Sequence, residues 1–143
     1  MLVHSGMNAE AEALKKRSKK FALDVLTLLR TLPKTTESRT IGDQLIRSAT
    51  GTAANYRAAC QSRSDAEFIA RMGVALEEAD ESALWLEIMT EMKLSTSNEA
   101  FRLLDEADQL RAIFAKSRLT SMEGMKRRKE AGGREAEVYF RRV

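Results

Sequence analysis

The sequence holds one proline, one cysteine, one histidine and seven glycines in 143 residues, and only 6% of it is aromatic. Each scarcity removes a class of protein. So little Pro and Gly is not the punctuation of a turn-rich β protein. A lone Cys60 cannot form an internal disulfide, and one Cys with one His (His4) cannot furnish a structural zinc site. Ferritin-type centres need inward glutamates with Glu-x-x-His pairs on the bundle helices, which a histidine at position 4 cannot supply. Cys60 has no imidazole partner for nucleophilic chemistry, and its place on an apolar stripe reads as packing. No apolar run approaches the roughly 20 residues of a membrane helix. The start, MLVHSGMNAEAEALKK, has no apolar core of signal-peptide type. The expectation is a cytoplasmic chain with no cofactor, no metal and no membrane segment.

What is present favours long helices. Hydrophobic residues make up 43% of the chain and charged residues 31%, with Ala, Leu, Glu, Lys and Arg dominant. The length suits one domain with a real core. A net charge of +3 conceals a strong polarity. Residues 1–34 carry seven Lys/Arg against three acids, residues 65–108 three against twelve, and residues 116–143 nine against four. Basic ends around an acidic middle point to an anionic partner or to self-association between opposite surfaces.

Apolar residues recur in steps of three and four along four segments. The first opens at Asn8 as N-cap, with Glu10 and Glu12 in its first turn. It carries Leu14, Ser18, Phe21, Val25, Leu28 and Leu32, and stops at Pro33. The second spans Glu37 to Gln61 with two adjacent stripes. One is Gly42, Ile46, Ala49, Ala53, Tyr56 and Cys60; the other is Ile41, Leu45, Ser48, Thr52, Asn55 and Ala59. The third begins at a capping box of Ser64 and Glu67, carries Phe68, Met72, Ala75, Ala79, Leu86 and Met89, and ends near Lys93. The fourth repeats the capping pattern with Thr96 and Glu99, carries Leu103, Ala107, Leu110 and Phe114, and runs to Arg128 before Gly132-Gly133 interrupts it. Nothing alternates at period two. The expected fold is an all-α, antiparallel up-down-up-down four-helix bundle over residues 10–128, between a flexible N-terminus (1–9) and a basic C-terminal tail (129–143).

Three patterns could carry function. The stretch from Ser48 to Ala54 is almost free of bulk, and Gly51 inside a helix costs about 1 kcal/mol relative to Ala. Small side chains admit a close neighbour: either one tight contact inside a monomer, or the bundle on one stripe and another subunit on the next, with Asn55 fixing register. A phosphate-binding P-loop fails, because one glycine stands alone with no following Lys. The acids Glu77, Glu78 and Glu81, with Asp105 and Asp108, form E-E-x-x-E and D-x-x-D on successive helices. Such pairs could hold Mg²⁺ against a phosphate substrate. They resemble the acidic pattern of the all-α nucleoside triphosphate pyrophosphohydrolases, but Asp105 stands where a Glu is expected and no basic companion motif follows. The ordinary alternative is a solvated acidic face. Finally, Lys15, Lys16, Arg17, Lys19 and Lys20 crowd the first helix where its dipole does not favour cations, and Lys126, Arg127, Arg128 and Lys129 form a second cluster. Phosphate contact is one reason for them and solubility another. With few aromatics between them, any nucleic-acid binding would be electrostatic and weakly sequence-specific.

The segments Gln44–Ala59 (QLIRSATGTAANYRAA), Ser64–Glu81 (SDAEFIARMGVALEEADE) and Trp85–Glu87 (WLE) together closely resemble the 23S rRNA intervening-sequence proteins, once labelled S23 ribosomal proteins, across residues 15–115. The resemblance implies an up-down four-helix bundle and a homopentameric ring, with no established enzymatic activity. Related accessory proteins of diversity-generating retroelements share the architecture and bind nucleic acid through basic surfaces. An RNA or DNA partner is therefore expected here, through the basic residues named above with Arg47 and Arg57. Matching positions Arg47, Asn55, Tyr56, Arg57, Glu67, Glu78 and Glu81 imply a polar network within or between subunits. The small positions Ser48, Thr52 and Ala53 become sites of close helix packing, across subunits as well as within one. A protein scaffold recruiting its partner through the acidic face is the alternative.

Overall fold

The computed structural model describes the backbone of residues 5–142 and the side chains of residues 9–142. His4 lies outside them. Four helices follow one another: α1 (Ser5–Leu29), α2 (Thr36–Ala59), α3 (Asp65–Glu91) and α4 (Asn98–Arg142). No strand occurs among the described residues.

Hydroxyl side chains start three of the helices. Thr35 Oγ1 accepts from the Ser38 N–H at 3.2 Å, Ser64 Oγ from Glu67 N–H at 3.1 Å, and Ser97 Oγ from Glu99 N–H at 3.1 Å. Glu67 reaches back to the Arg63 N–H at 2.9 Å, which completes the two-way cap at α3. At α4 the cap is Ser97, not Thr96. At α1 the helix begins three residues before Asn8, so Asn8 lies inside the first turn and does not cap it. Nor does Pro33 end α1. Thr31 and Leu32 turn back onto Leu28 and Leu29, and Pro33 falls in the connection that follows. α3 ends in a Schellman turn: Leu94 N–H bonds Met89 O and Lys93 N–H bonds Thr90 O, with Lys93 at φ 54°.

The helices pack in sequence order, α1 on α2, α2 on α3, α3 on α4, and α4 returns to α1. Their shared core holds Phe21, Val25, Leu45, Met72, Leu86, Leu103, Leu110 and Phe114. Tyr56 stacks on Phe114 at 5.3 Å between ring centres, joining α2 to α4. The buried seam of α2 interleaves the two predicted stripes: Ser38, Gly42, Leu45, Ser48, Ala49, Thr52, Tyr56 and Ala59. Ile46 is 36% exposed, while Ala53 and Asn55 are half-buried.

The largest difference from the sequence reading is α4. It passes through Gly132-Gly133 without interruption and reaches Arg142. Arg128 pairs with Asp65 at the beginning of α3, so the bundle ends there. The remaining residues of α4 extend about 21 Å past it. Everything from Lys126 to Arg142 is exposed.

Candidate nucleic-acid interface

The bundle sorts its charges by end. The first half of α1, the last turn of α2, the start of α3 and the second half of α4 lie together. Arg57 is near enough to Glu12 to help hold its carboxyl below the ordinary value, after the hydrogen bond from Lys15 that is the main cause. Arg118 donates to the Ile69 carbonyl at 3.1 Å, and Arg128 pairs with Asp65. The acids of α3 from Glu77 onward and those of α4 from Glu99 to Asp108 lie toward the middle and opposite end, where Arg111 bridges Asp80 at 3.4 Å and Asp108 at 3.3 Å.

The predicted basic residues divide into tied and untied groups. Lys15 is held by Glu12 at 2.8 Å, Lys20 by Asp24 at 2.7 Å, and Arg128 by Asp65. Arg17 makes a forked contact to Glu106 at 3.0 and 2.6 Å and a third bond to Gln109 at 2.7 Å. This fork raises the Arg17 pKa further above its ordinary value. Such guanidinium–carboxylate geometry fixes α1 against α4, so Arg17 has a structural role of its own. Lys16, Lys19, Arg47, Arg57, Lys126 and Arg127 are exposed and make no ion pair among the described residues. All but Arg47, which sits midway along α2, belong to the basic half.

Small residues of α2 meet polar residues of α3. Ser82 Oγ bonds Ser48 Oγ at 2.9 Å in the buried seam. Thr52 turns its hydroxyl back to the Ser48 carbonyl at 2.7 Å, and Asn55 donates to Gly51 O at 2.8 Å. The Glu78 carboxyl lies on Gly51: a Cβ there would stand 2.9 Å from Glu78 Cδ. Burial, then Glu81 and Glu77, push the Glu78 carboxyl above its ordinary value, against the pull of Arg47. Glu81 is exposed; Glu67 pairs with Arg71 at 2.6 Å besides capping α3. Burial, with Cys60 second, pushes the Tyr56 phenol up. The acidic motifs do not converge. Glu78 rests on the α2 side, Asp105 accepts from Gln109 at 2.7 Å and Asp108 from Arg111 at 3.3 Å. No group of three His, Cys, Asp or Glu placed to hold a metal ion occurs among the described residues.

Several residues that organise this region escape a sequence reading. Arg71 donates to the Ala58 carbonyl at 2.7 Å, securing the α2–α3 corner, and Arg102 bridges Asp24 and Glu99. Arg118 lies against Gly73, where a Cβ would be 3.2 Å from its Nε. Arg71 follows Glu67 by four residues, a signal that was available. Arg118 and Glu106 bond partners far away in sequence and leave no local trace.

Fold and site together define an all-α four-helix bundle with one basic end. Residues 11–116 match the 23S rRNA-intervening sequence protein family, and the chain belongs to it. A crystal structure of a protein of unknown function from the S23 ribosomal protein family of Bacteroides thetaiotaomicron superposes with a TM-score of 0.69 at 26% identity, covering 76% of this chain and 96% of that one. None of the curated proteins matches the chain. No helix among the described residues is long and apolar enough to cross a membrane.

Proposed function

We propose that this is a non-enzymatic accessory protein of the cytoplasm, an up-down-up-down bundle that assembles into a homopentameric ring and binds RNA or DNA through its basic end. The observation that carries the reading is the set Lys16, Lys19, Arg57, Lys126 and Arg127, exposed in one half of the molecule with no carboxylate partner among the described residues. The family supplies the ring and the link to RNA as expectations. Several weak phosphate-binding patches on one assembly would raise avidity without new contacts. Recognition would follow backbone charge, since few aromatics are exposed: Phe101, Tyr139 and Phe140 among the described residues.

The test is binding of the assembled protein to labelled single- and double-stranded RNA and DNA across a salt series. A variant with Lys16, Lys19, Arg57, Lys126 and Arg127 changed to Gln is measured beside it. The expected affinity falls steeply with salt, with a log–log slope of about −0.9 per duplex phosphate contact and about −0.7 per single-strand contact. The variant should bind weakly with a flatter slope. Absence of binding by the unaltered protein at low salt overturns the reading for these ligands.

A further inference from the structure

At the α1–α2 edge of the basic half, three cations gather around one carboxylate. Lys15 Nζ bonds Glu12 Oε1 at 2.8 Å. Lys16 follows Lys15 on α1, and Arg57 comes across from the last turn of α2. The Lys15 hydrogen bond is the main cause that holds the Glu12 carboxyl below its ordinary value, and Lys16 and Arg57 both add to the pull. Neither Lys16 nor Arg57 makes an ion pair of its own among the described residues. The cluster therefore keeps a net positive charge with Glu12 in place.

Its members differ in how firmly they are held. The Lys15 side chain is only 24% exposed and rests beside Cys60, one turn beyond the buried Tyr56 on α2. The hydrogen bond to Glu12 raises the Lys15 pKa, while burial and Arg57 work against it. A lysine packed in this way has already given up much of its freedom, so a contact made by it costs little further ordering. Glu12 is the opposite, with a side chain 62% exposed. An exposed pair three residues apart on one helix is weak, and turning Glu12 out into water loses little. Glu10 does not share this face. It stands about 200° round α1 from Glu12, on the side of Arg17.

We infer that this cluster is a phosphate site, with Lys15, Lys16 and Arg57 as its ligands and Glu12 as the internal anion that fills it until a backbone phosphate of a nucleic acid displaces the carboxylate. The inference rests on the proposed nucleic-acid binding and adds two residues to it. Lys15 is a contact residue although it is paired in the free protein, and Glu12 limits affinity by competing for the same cations. A phosphodiester carries the same single charge as the carboxylate it replaces. The exchange leaves Glu12 hydrated and releases counterions from the nucleic acid, so it is favoured at low salt.

The experiment repeats the salt series on the full chain, with labelled duplex RNA and duplex DNA, for E12Q, K15Q, E12Q/K15Q and E10Q. All four changes are on the surface, and thermal melting checks that each variant keeps the fold. E12Q should bind about threefold tighter or more at low salt. K15Q should bind more weakly, with a log–log slope flatter by about 0.9, the loss of one duplex phosphate contact. The gain from E12Q should shrink when Lys15 is already absent. E10Q, with the same change in net charge, should bind as the unaltered protein does. E12Q binding no tighter than E10Q, or K15Q binding as the unaltered protein does, overturns the site and leaves the nucleic-acid reading standing. Absence of binding by the unaltered protein to either duplex at low salt overturns both. Inorganic phosphate at constant ionic strength tests the other source of this chemistry. If it raises the melting temperature of the unaltered chain but not of K15Q, while nucleic-acid affinity ignores E12Q and K15Q, the site serves a small phosphate compound and the backbone assignment is overturned.

Discussion

Two helical glycines act as seats for charged side chains. Gly51 leaves room for the Glu78 carboxyl and Gly73 for the Arg118 guanidinium. The low bulk of Ser48–Ala54 therefore serves a polar neighbour from α3 as well as close helix packing. Glu78 is the less comfortable of the two guests, because burial and two neighbouring glutamates raise its pKa above the ordinary 4.5. A carboxyl with a raised folded-state pKa binds its proton more tightly in the folded chain. Its ionisation therefore costs stability at neutral pH, and that cost fades as pH falls through the raised value toward 4.5. Glu78→Gln should be more stable than the unaltered protein to urea at pH 7, with the gap closing near pH 4. A gap that persists in acid would mean that shape, and not charge, is at issue. Asp24 has the opposite sign. Burial pushes it up, but the hydrogen bonds from Lys20 and Arg102 outweigh burial and hold it below 3.8, so its contribution is lost only as pH falls through that depressed value.

At the scale of the helix, spacing made the existence of all four elements legible, with the inward faces of α1, α3 and α4; on α2 the buried seam runs between the two stripes and leaves Ile46 exposed. Leu103, Leu110 and Phe114 recur at the period that buries them, and Ser64 with Glu67 marks the start of α3 unambiguously. Ends were legible only where a local rule decides them. Asn8 has the chemistry of a cap, but the helix continues upstream of it. Thr96 and Ser97 are both capable caps, and only the geometry of the turn chooses Ser97. Gly132-Gly133 lowers helix propensity without forbidding the helix. At the end of α3 the sequence offers Lys93 where a left-handed residue is needed, a position that favours glycine. Lys93→Gly should therefore stabilise the protein by about 0.5–1 kcal/mol. Thermal melting checks this, and an unchanged or lower midpoint would show that the lysine side chain contributes something that outweighs its backbone strain.

Across the whole molecule, the charge polarity was visible in the sequence but its use was not. Arg17 and Glu106 are 89 residues apart, and no local pattern announces that one cation of KKRSKK is tied to α4 while Lys16 and Lys19 remain open. The same holds for Arg57, which meets Glu12 only because α1 packs on α2. The candidate nucleic-acid set therefore contracts from the clusters to the subset left exposed without partners. The gain is a sharper question for binding experiments, since neutralising Arg17 would disturb the α1–α4 contact along with any phosphate contact.

Because α4 is one unbroken helix from Asn98 to Arg142, the direction in which Tyr139 faces is kept in phase with Phe114, as the hands of a clock share one shaft. Each residue added between bundle and extension turns the extension by about 100° and advances it about 1.5 Å. Seven added residues bring it back to within about 20° of its starting direction, about 10 Å farther out. One alanine inserted after Lys129, beyond the Arg128–Asp65 pair, should thus alter any association the extension supports more than a helical insertion of seven, judged by sedimentation. Equal effects would mean that the extension works as a slack tether, with its angle of no consequence.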